Sequence, residues 1–278
     1  MSDKVFYPVR RPRAWGQIIQ AAVVVAAIPV LVLPFLSSGV FDLATVGEYL
    51  FGPAILKAVW GTLSLATLST ALALVLGTGV ALLRISANPV LRAAAGFYVF
   101  VFRGTPMLVQ LLIWFYAVPR IVGHVGLYIP GIDLVLIEDQ PASTFFTPFV
   151  AGLFALTLAE TGYMAEVIRS GIQGVDAGQR DAARALGVPA GKIMRQIVLV
   201  QAFRIVLPAI ANQYILMIKN TSLAYAIGYS EILLSVSRVY YTNFKYLELL
   251  LVAAFWYLLL TAVITVGQLF IERKFPPR

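Results

Sequence analysis

The sequence contains no cysteine and a single histidine, and only 12% of its 278 residues are charged. The lack of cysteine excludes disulfide frameworks, thiolate metal sites and cysteine nucleophiles. The one histidine, His124, lies in a polar stretch, and we interpret it as an ordinary surface residue because a metal site needs several ligands. Soluble domains are about one-quarter charged, so this composition excludes an ordinary soluble enzyme and a disordered protein.

Apolar residues, by contrast, form 60% of the chain, and the mean hydropathy is +0.87. A membrane-spanning helix needs roughly 20 consecutive apolar residues. The long apolar runs lie at about 18–36, 54–83, 93–118, 149–168, 206–227 and 247–271. They are too long for the strands of a membrane barrel and lack strict alternation. The sequence therefore predicts an all-α polytopic membrane protein with about six transmembrane helices.

The first run follows a basic segment, residues 1–14, as the apolar part of a secretory signal does. However, it is long enough to span a membrane, and it ends in Leu-Ser-Ser-Gly without a small-x-small cleavage site. We therefore expect an uncleaved signal anchor. Residues 1–53 are predicted to form an N-terminal tail, the first span and a connector, and residues 54–278 the remaining helical core.

The basic residues are distributed unequally between the two sides of the membrane. Six spans place fifteen Lys and Arg residues on one side and four on the other. Because cytoplasmic loops carry the excess of Lys and Arg, both termini are predicted to be cytoplasmic. The formal net charge of +8 is therefore an orientation signal, aided by contacts with anionic membrane lipid, and it requires no nucleic-acid partner.

The cytoplasmic loop of residues 169–205 is polar, helical in pattern and rich in arginine. Its pattern predicts a short helix over 179–186, with Gly187 at the C-terminal cap and Pro189 in the first turn of the next helix. A long ordered loop in a compact protein is usually functional. We therefore favour a helix that docks in a groove of a cytoplasmic partner over a solvated connector.

This loop resembles the EAA motif of ATP-binding cassette (ABC) importer permeases. That motif contains Glu-Ala-Ala, a glycine six positions after the Glu, and a later Ile-x-Leu-Pro segment. Here Asp181-Ala182-Ala183 is followed by Gly187, and Ile197-Val198-Leu199 stands at the later position. Two residues depart from the pattern, since Asp181 replaces Glu with the same charge and Val200 stands where proline is usual.

Three further stretches resemble signatures of the polar amino acid permeases. FRGTPMLVQ at 102–110 is similar to RGTPxLVQ, and YMAEVIRSGIQ at 163–173 is similar to YxAEIxRxGIQ. NQYILMIKNTSL at 212–223 is similar to NQxxxxxKDTSL, with Asn220 where aspartate is usual. The motifs fall in the family's order from about residue 54 to the C-terminus. The resemblance implies the five-helix membrane domain of a type I ABC importer, preceded by one extra span.

The resemblance also implies the partners of this chain. A sister or identical permease subunit would complete the pathway, two ABC ATPase subunits would dock on the coupling loop, and an extracytoplasmic substrate-binding protein would deliver the substrate. ATP and magnesium would bind to the ATPase, because the nearest P-loop-like sequence, 187–193, is one residue too short and lacks the magnesium-binding Ser or Thr. This chain would therefore be a transport subunit with no catalytic residues. The implied ATPase-coupling residues are Gln179, Asp181, Ala182, Ala183, Arg184, Ala185, Leu186 and Gly187.

Charged side chains inside apolar runs are costly and are by default functional candidates. Arg103 and Glu166 lie in the same half of the membrane, so the sequence allows them to pair. Glu160 shares a helical face with Tyr163 and is predicted to contact the ammonium or a cationic side chain of the amino acid. Structural pairing or gating is the alternative role for Arg103, Glu166 and Lys219. The full set of substrate-pathway candidates is Glu160, Arg103, Thr105, Glu166, Asn212, Lys219, Thr221 and Ser222.

Two other functions are compatible with parts of the sequence. An ion-coupled secondary carrier would explain the intramembrane charges, but such carriers often contain inverted repeats, and the two halves show no convincing repeat. An ABC permease for another small solute, such as an opine, would share the same motifs. The sequence predicts a polar amino acid permease of the bacterial cytoplasmic membrane, and it leaves open the particular amino acid and the identity of the sister subunit.

Overall fold

The computed structural model describes residues 42–129 and 134–274, together with Val23. The predicted first span lies outside the described residues apart from Val23. The described elements, in chain order, are α1 (Leu43–Leu50), α2 (Pro53–Arg84), α3 (Pro89–Gly104), α4 (Met107–Leu112), a π-helical turn (Ile113–Ala117), α5 (Val118–Val122), β1 (His124–Ile129), β2 (Leu134–Pro141), α6 (Ala142–Phe145), α7 (Pro148–Gln173), α8 (Ala177–Ala185), α9 (Ala190–Lys192), a second π-helical turn (Ile193–Val198), α10 (Leu199–Asn220), a 3₁₀ turn (Thr221–Ile227), α11 (Ile232–Asn243) and α12 (Tyr246–Lys274).

Five stretches of the described chain can cross a membrane. Four are continuous helical stretches that are long and apolar enough, namely Pro53–Arg84, Pro148–Gln173, Ala190–Ile227 and Tyr246–Phe270. The fifth is the pair Pro89–Gly104 and Met107–Val122, whose axes meet at a bend of 99°. Each of these stretches overlaps one of the five apolar runs between residues 54 and 271, and Ala190–Ile227 begins well before its run. The chain is thus a helical polytopic membrane protein.

The bend between α3 and α4 follows from the sequence Gly104-Thr105-Pro106. A residue before proline is forced into extended backbone, and Thr105 has φ −100° and ψ 140°. A broken helix leaves carbonyl groups without partners, which is costly within a membrane. The buried Gln110 side chain compensates, because its Nε2 donates to Phe102 O at 3.0 Å and to Thr105 Oγ1 at 2.7 Å.

Helices α2 and α7 pack side by side in the same direction. A Cβ at Gly77 of α2 would lie 2.8 Å from Met164 Cβ of α7, and one at Gly152 of α7 would lie 3.6 Å from Leu65 Cδ2 of α2. Both pairs have the same offset in residue number, which is the register of parallel helices. The small residues let the backbones approach closely, as is common between membrane helices.

The stretch 119–146, predicted to be a loop, contains a two-stranded antiparallel hairpin that an all-α prediction does not include. Strand β1 pairs with β2 from His124 opposite Pro141 to Ile129 opposite Leu134, with register shifts on both sides of Leu127. Helix α7 begins shortly after this hairpin and ends just before α8. Its 26 residues extend for about 39 Å, so the hairpin and α8 lie at opposite ends of the bundle.

Candidate functional site

Helix α8 lies in the predicted coupling loop, close to the predicted helix at 179–186. The helix begins after Asp176, whose side chain accepts a hydrogen bond from Gly178 N at 2.6 Å. An aspartate in this position satisfies one of the amide groups that a helix leaves free at its N-terminus. The local sequence therefore specifies where the short helix starts, even though nine residues are too few for a stable helix on their own.

The C-terminus of α8 is closed by Gly187 in a left-handed conformation, with φ +73°. Gly187 N donates to Arg184 O at 2.9 Å, and Val188 N donates to Ala183 O at 3.0 Å. These two bonds form a Schellman motif, in which a glycine is favoured because other residues are strained at positive φ. The structure therefore confirms the predicted C-terminal cap at Gly187.

One face of α8 packs against the bundle. Ala183 is buried in a cluster that includes Ile172 of α7 and Val198 and Ala202 of the following helix. The side chains of Gln179 and Gln201 also hydrogen-bond to one another, which ties α8 to α10. Within α10, Val200 continues the helix at the position where the EAA motif usually has proline. The helix α8 is thus attached to the two long helices that flank it in sequence.

Apart from Ala183 and the partly buried Arg180, the residues of α8 are exposed. Leu186 is 83% exposed although it is a large apolar residue, and Asp181 and Arg184 form an exposed ion pair at 3.2 Å. The exposed members of the predicted coupling set are Gln179, Asp181, Ala182, Arg184, Ala185, Leu186 and Gly187. Ala183 is the buried member of the predicted set. Gln179 and Leu186 lie at helical spacing from it, and with Ala182 they line the side of α8 that faces α10. An apolar side chain surrounded by small and charged ones is suited to a groove on another protein.

A cleft of about 810 Å³ separates part of α8 from α10. Its lining includes Gln179, Ala182 and Leu186 from the α8 side and Gln196 and Arg204 from the other. The cleft leaves α8 free on two sides, so the helix contacts the bundle along a narrow strip that includes Ala183. This geometry makes α8 a projecting element, which a larger protein can grip.

Glu160 lies in the middle of α7 and is only 2% exposed. Beside it is a cavity of about 270 Å³ lined by Met107, Glu160, Tyr163, Gln213, Leu216 and Asn220. Among the residues that the structure describes, Glu160 Oε1 has no hydrogen-bond partner. Burying a carboxylate without partners is costly. Glu160 is therefore suited to accept hydrogen bonds from a cationic group that enters this cavity, whose size fits one small ligand.

Arg103 and Glu166 do not pair with one another, which corrects the interpretation from the sequence. The Arg103 guanidinium carbon lies over the Tyr163 ring, 5.1 Å from its centroid. Glu166 instead contacts Arg84 at 3.1 Å and Arg169 at 2.6 Å. Two residues at a similar depth in the membrane can still point in different directions around their helices. The partners of Glu166 therefore come from the end of α2 and from α7 itself.

Three of the other predicted pathway residues lie at two breaks in the helices. Thr105 lies at the bend between α3 and α4, where its side chain donates to Val101 O at 2.8 Å. Thr221 and Ser222 lie where α10 becomes a 3₁₀ turn, and each hydroxyl donates to a carbonyl one turn earlier at 2.7 Å. Asn212 and Lys219 are exposed on α10. A substrate role for these residues stays a prediction.

Several residues of the Glu160 cavity were not chosen from the sequence. Gln213 and Asn220 come from α10 and Met107 from α4, so no spacing within one segment could place them beside Glu160.

Glu231 was also missed. It is fully buried, accepts hydrogen bonds from Leu233 N and Leu234 N at the start of α11, and accepts one from Tyr257 of α12. Burial raises the pKa of the Glu231 carboxyl above its ordinary value.

Comparison with known proteins gives consistent matches over most of the chain. Residues 70–276 match the protein family described as binding-protein-dependent transport system inner membrane component. The arginine transport system permease protein ArgU of Corynebacterium glutamicum is 38% identical over 96% of this chain and 82% of its own length. The arginine transport system permease protein ArtQ of Bacillus subtilis is 34% identical over 80% and 92%, respectively. The nopaline transport system permease protein NocM of Agrobacterium fabrum is 36% identical over 77% and 84%.

Solved structures have the same arrangement of helices. The crystal structure of an amino acid ABC transporter with histidines superposes with a TM-score of 0.72 at 29% identity, over 84% of this chain and 99% of that one. The inward-facing MetNI methionine ABC transporter gives a TM-score of 0.63 at 20% identity, over 80% and 95%. At this lower identity the similarity concerns the fold alone.

Proposed function

The chain belongs to the family of binding-protein-dependent transport system inner membrane components, and we propose that it is the permease subunit of an ABC importer for a polar amino acid. The observation that carries this proposal is α8, an exposed nine-residue helix at one end of a bundle of membrane-spanning helices. Such a helix gives a separate ATPase a surface through which it can move the bundle.

ATP and magnesium are proposed to bind to that separate ATPase. In this chain, the segment nearest to a P-loop sequence, residues 187–193, forms the C-terminal cap of α8 and then α9. A P-loop instead connects a strand to a helix and uses a Ser or Thr to coordinate magnesium, where this chain has Ile193. The chain's own contribution is therefore mechanical: it transmits the movement of α8 to the spans.

The proposed assembly has two permease subunits, identical or sister chains, each with one ATPase subunit on its α8. A substrate-binding protein delivers the amino acid at the hairpin end, in keeping with the family's dependence on a binding protein. Closure of the ATPases displaces both α8 helices and favours the outward-open state of the bundle. Hydrolysis then restores the inward-open state, so ATP biases a two-state equilibrium.

We propose that the chain lies in the bacterial cytoplasmic (inner) membrane, with α8 and both termini in the cytoplasm. Cytoplasmic loops are enriched in Lys and Arg. The loop 169–205 contains six of these residues, whereas the stretch 119–146 contains only Arg120. Because α8 and the hairpin lie at opposite ends of α7, this difference in basic residues assigns one orientation to the whole bundle.

The substrate is proposed to bind beside Glu160. Oε1 of this buried carboxylate accepts no hydrogen bond from the part of the chain that the structure describes. A substrate ammonium or cationic side chain would donate one and would carry the favourable charge. Gln213 and Asn220 add amide groups to the cavity. Arginine is the first substrate to test, because two relatives are arginine transport permeases.

A second candidate substrate is an opine, because the relative NocM is a nopaline transport permease. The two candidates differ in the group that the cavity must accommodate rather than in the mechanism. Competition between labelled arginine and unlabelled nopaline in one uptake assay distinguishes them directly.

Proteoliposomes that contain this permease, its ATPase and its binding protein provide the test. Uptake of labelled arginine should require ATP on the α8 side and should stop when the ATPase is omitted. Uptake driven by an ion gradient without any ATPase would contradict the proposal and would favour the secondary carrier.

A further inference from the structure

Three charged side chains form a compact cluster at the α8 end of the bundle. Each oxygen of Glu166 contacts a different guanidinium: Oε1 accepts from Arg84 Nη2 at 3.1 Å, and Oε2 accepts from Arg169 Nη2 at 2.6 Å and Nε at 3.0 Å. The side chains are only 18% to 29% exposed. A partly buried, hydrogen-bonded ion pair holds its geometry better than one at the surface.

The cluster connects three helices. Arg84 is the last residue of α2, and Glu166 and Arg169 belong to α7. The contact with α3 depends on Gly96, because a Cβ at that position would lie 2.8 Å from Arg84 Nη1. The absence of a side chain at Gly96 thus lets the guanidinium lie against α3 while it reaches Glu166 on α7.

The same cluster fixes the end of α7 where α8 begins. Arg169 Nη1 donates to Gln173, the last residue of α7, and α8 starts at Ala177. On another side, Gly171 packs so closely against α10 that a Cβ there would lie 2.0 Å from Val206 Cγ2. The final turn of α7 is therefore held from both sides immediately before the chain enters α8.

Glu166 and Glu160 differ in direction, in depth along the helix and in hydrogen bonding. The two residues are six apart on one helix, so their side chains point about 120° apart and differ in height by about 9 Å. Glu160 borders a cavity and has an oxygen without a partner among the described residues. Both oxygens of Glu166 are already bound by arginine, so it has little capacity left for a substrate.

We propose that Glu166 is a positioning residue for energy coupling. Through Arg84 and Arg169 it joins α2, α3 and the end of α7, so that a displacement of α8 moves these helices together. The inference rests on the proposed function, because it takes α8 as the point where the ATPase acts. It assigns to Glu166 no contact with the substrate.

The test compares Glu166→Gln with the unchanged permease in proteoliposomes that contain ATPase and binding protein. The amide keeps the shape of the side chain but loses its charge. We expect the number of substrate molecules transported per ATP hydrolysed to fall by roughly three- to tenfold, while the KM for substrate stays the same. Arg84→Gln should give a similar loss, and the double variant should lose little more than either single one.

Two controls make the outcome specific. Glu272→Gln also removes the charge of a carboxylate, at the end of α12, where Oε1 accepts a hydrogen bond from Gln268, and it should leave transport per ATP unchanged. Arg84→Lys keeps the positive charge and should retain most of the coupling even if Glu166→Gln assembles poorly. ATP-dependent uptake by the unchanged permease tests the proposed function separately.

Three results would overturn the inference about Glu166. A changed KM at constant transport per ATP would make it a substrate contact. Additive losses in the double variant would show that Glu166 and Arg84 act independently. A loss of assembled complex, with unchanged transport per ATP in the remaining complexes, would reduce the cluster to a purely structural role.

Discussion

Replacing Gly187 tests whether the shape of α8 determines ATPase binding. Gly187 has φ +73°, and a Cβ built on it would meet no other atom within 4 Å. A larger side chain therefore has room, and the cost of substitution comes from backbone strain alone.

The size of the effect follows from the conformation. A residue with a Cβ costs about 1–2 kcal/mol in the left-handed region, and this is roughly a 5- to 30-fold change in the population of the closed cap. Asparagine tolerates the region better than other residues, whereas valine is poorly suited to it. ATPase affinity should therefore fall in the order Gly, Asn, Ala, Val at position 187, with membrane insertion unaffected.

Affinity can be measured by titrating the purified ATPase onto the permease in nanodiscs. The matched control is Gly191→Val, in the same loop, because Gly191 also has open space around its Cβ position but no positive φ. The Gly191 variant should bind like the unchanged chain. Equal affinity for Gly187→Val and the unchanged chain, or an equal loss at both positions, would refute the reasoning.

Three further substitutions test other parts of the account. Glu160→Gln should raise the KM for substrate by about tenfold, because it weakens a charge-assisted hydrogen bond; an unchanged KM in uptake assays would contradict this. Gly171→Ala should lower the melting temperature by about 5 °C, since its Cβ would clash with α10. Gly79→Ala, where a Cβ has open space, should not lower the melting temperature. Equal melting temperatures of the two variants would count against close packing of α7 on α10 at Gly171. Gln110→Leu should speed hydrogen exchange at the α3–α4 bend, and unchanged exchange would show that its hydrogen bonds are dispensable.

The helices of this fold could be predicted from the sequence because each depends on a local pattern. The apolar run at 54–83 corresponds to α2, and the proline at 106 marks the bend in the broken span. The same holds for α8, where Asp176 and Gly187 provide caps within the loop itself. Signals of this kind are complete within a few residues, so they do not require knowledge of the tertiary structure.

The features that were missed depend on contacts between distant segments. The hairpin pairs 124–129 with 134–141 and has an irregular register, so neither strand shows a clean alternation. The pair of Arg103 and Glu166 that the sequence allowed does not form, because sequence position gives the depth of a side chain in the membrane but not its direction. Arg169, three residues after Glu166, was the nearer partner and was visible in the sequence, whereas the contact with Arg84 required the packing of α2 on α7.

Photo-crosslinking from position 186 tests the central claim most directly. Leu186, the residue that directly follows α8, is 83% exposed, and a photoreactive phenylalanine analogue at this position should form an adduct with the ATPase in the assembled, ATP-hydrolysing complex. The same analogue at Val135, exposed on the hairpin at the other end of the bundle, should form none. An active complex in which position 186 fails to crosslink to the ATPase, while position 135 does so, would contradict the account.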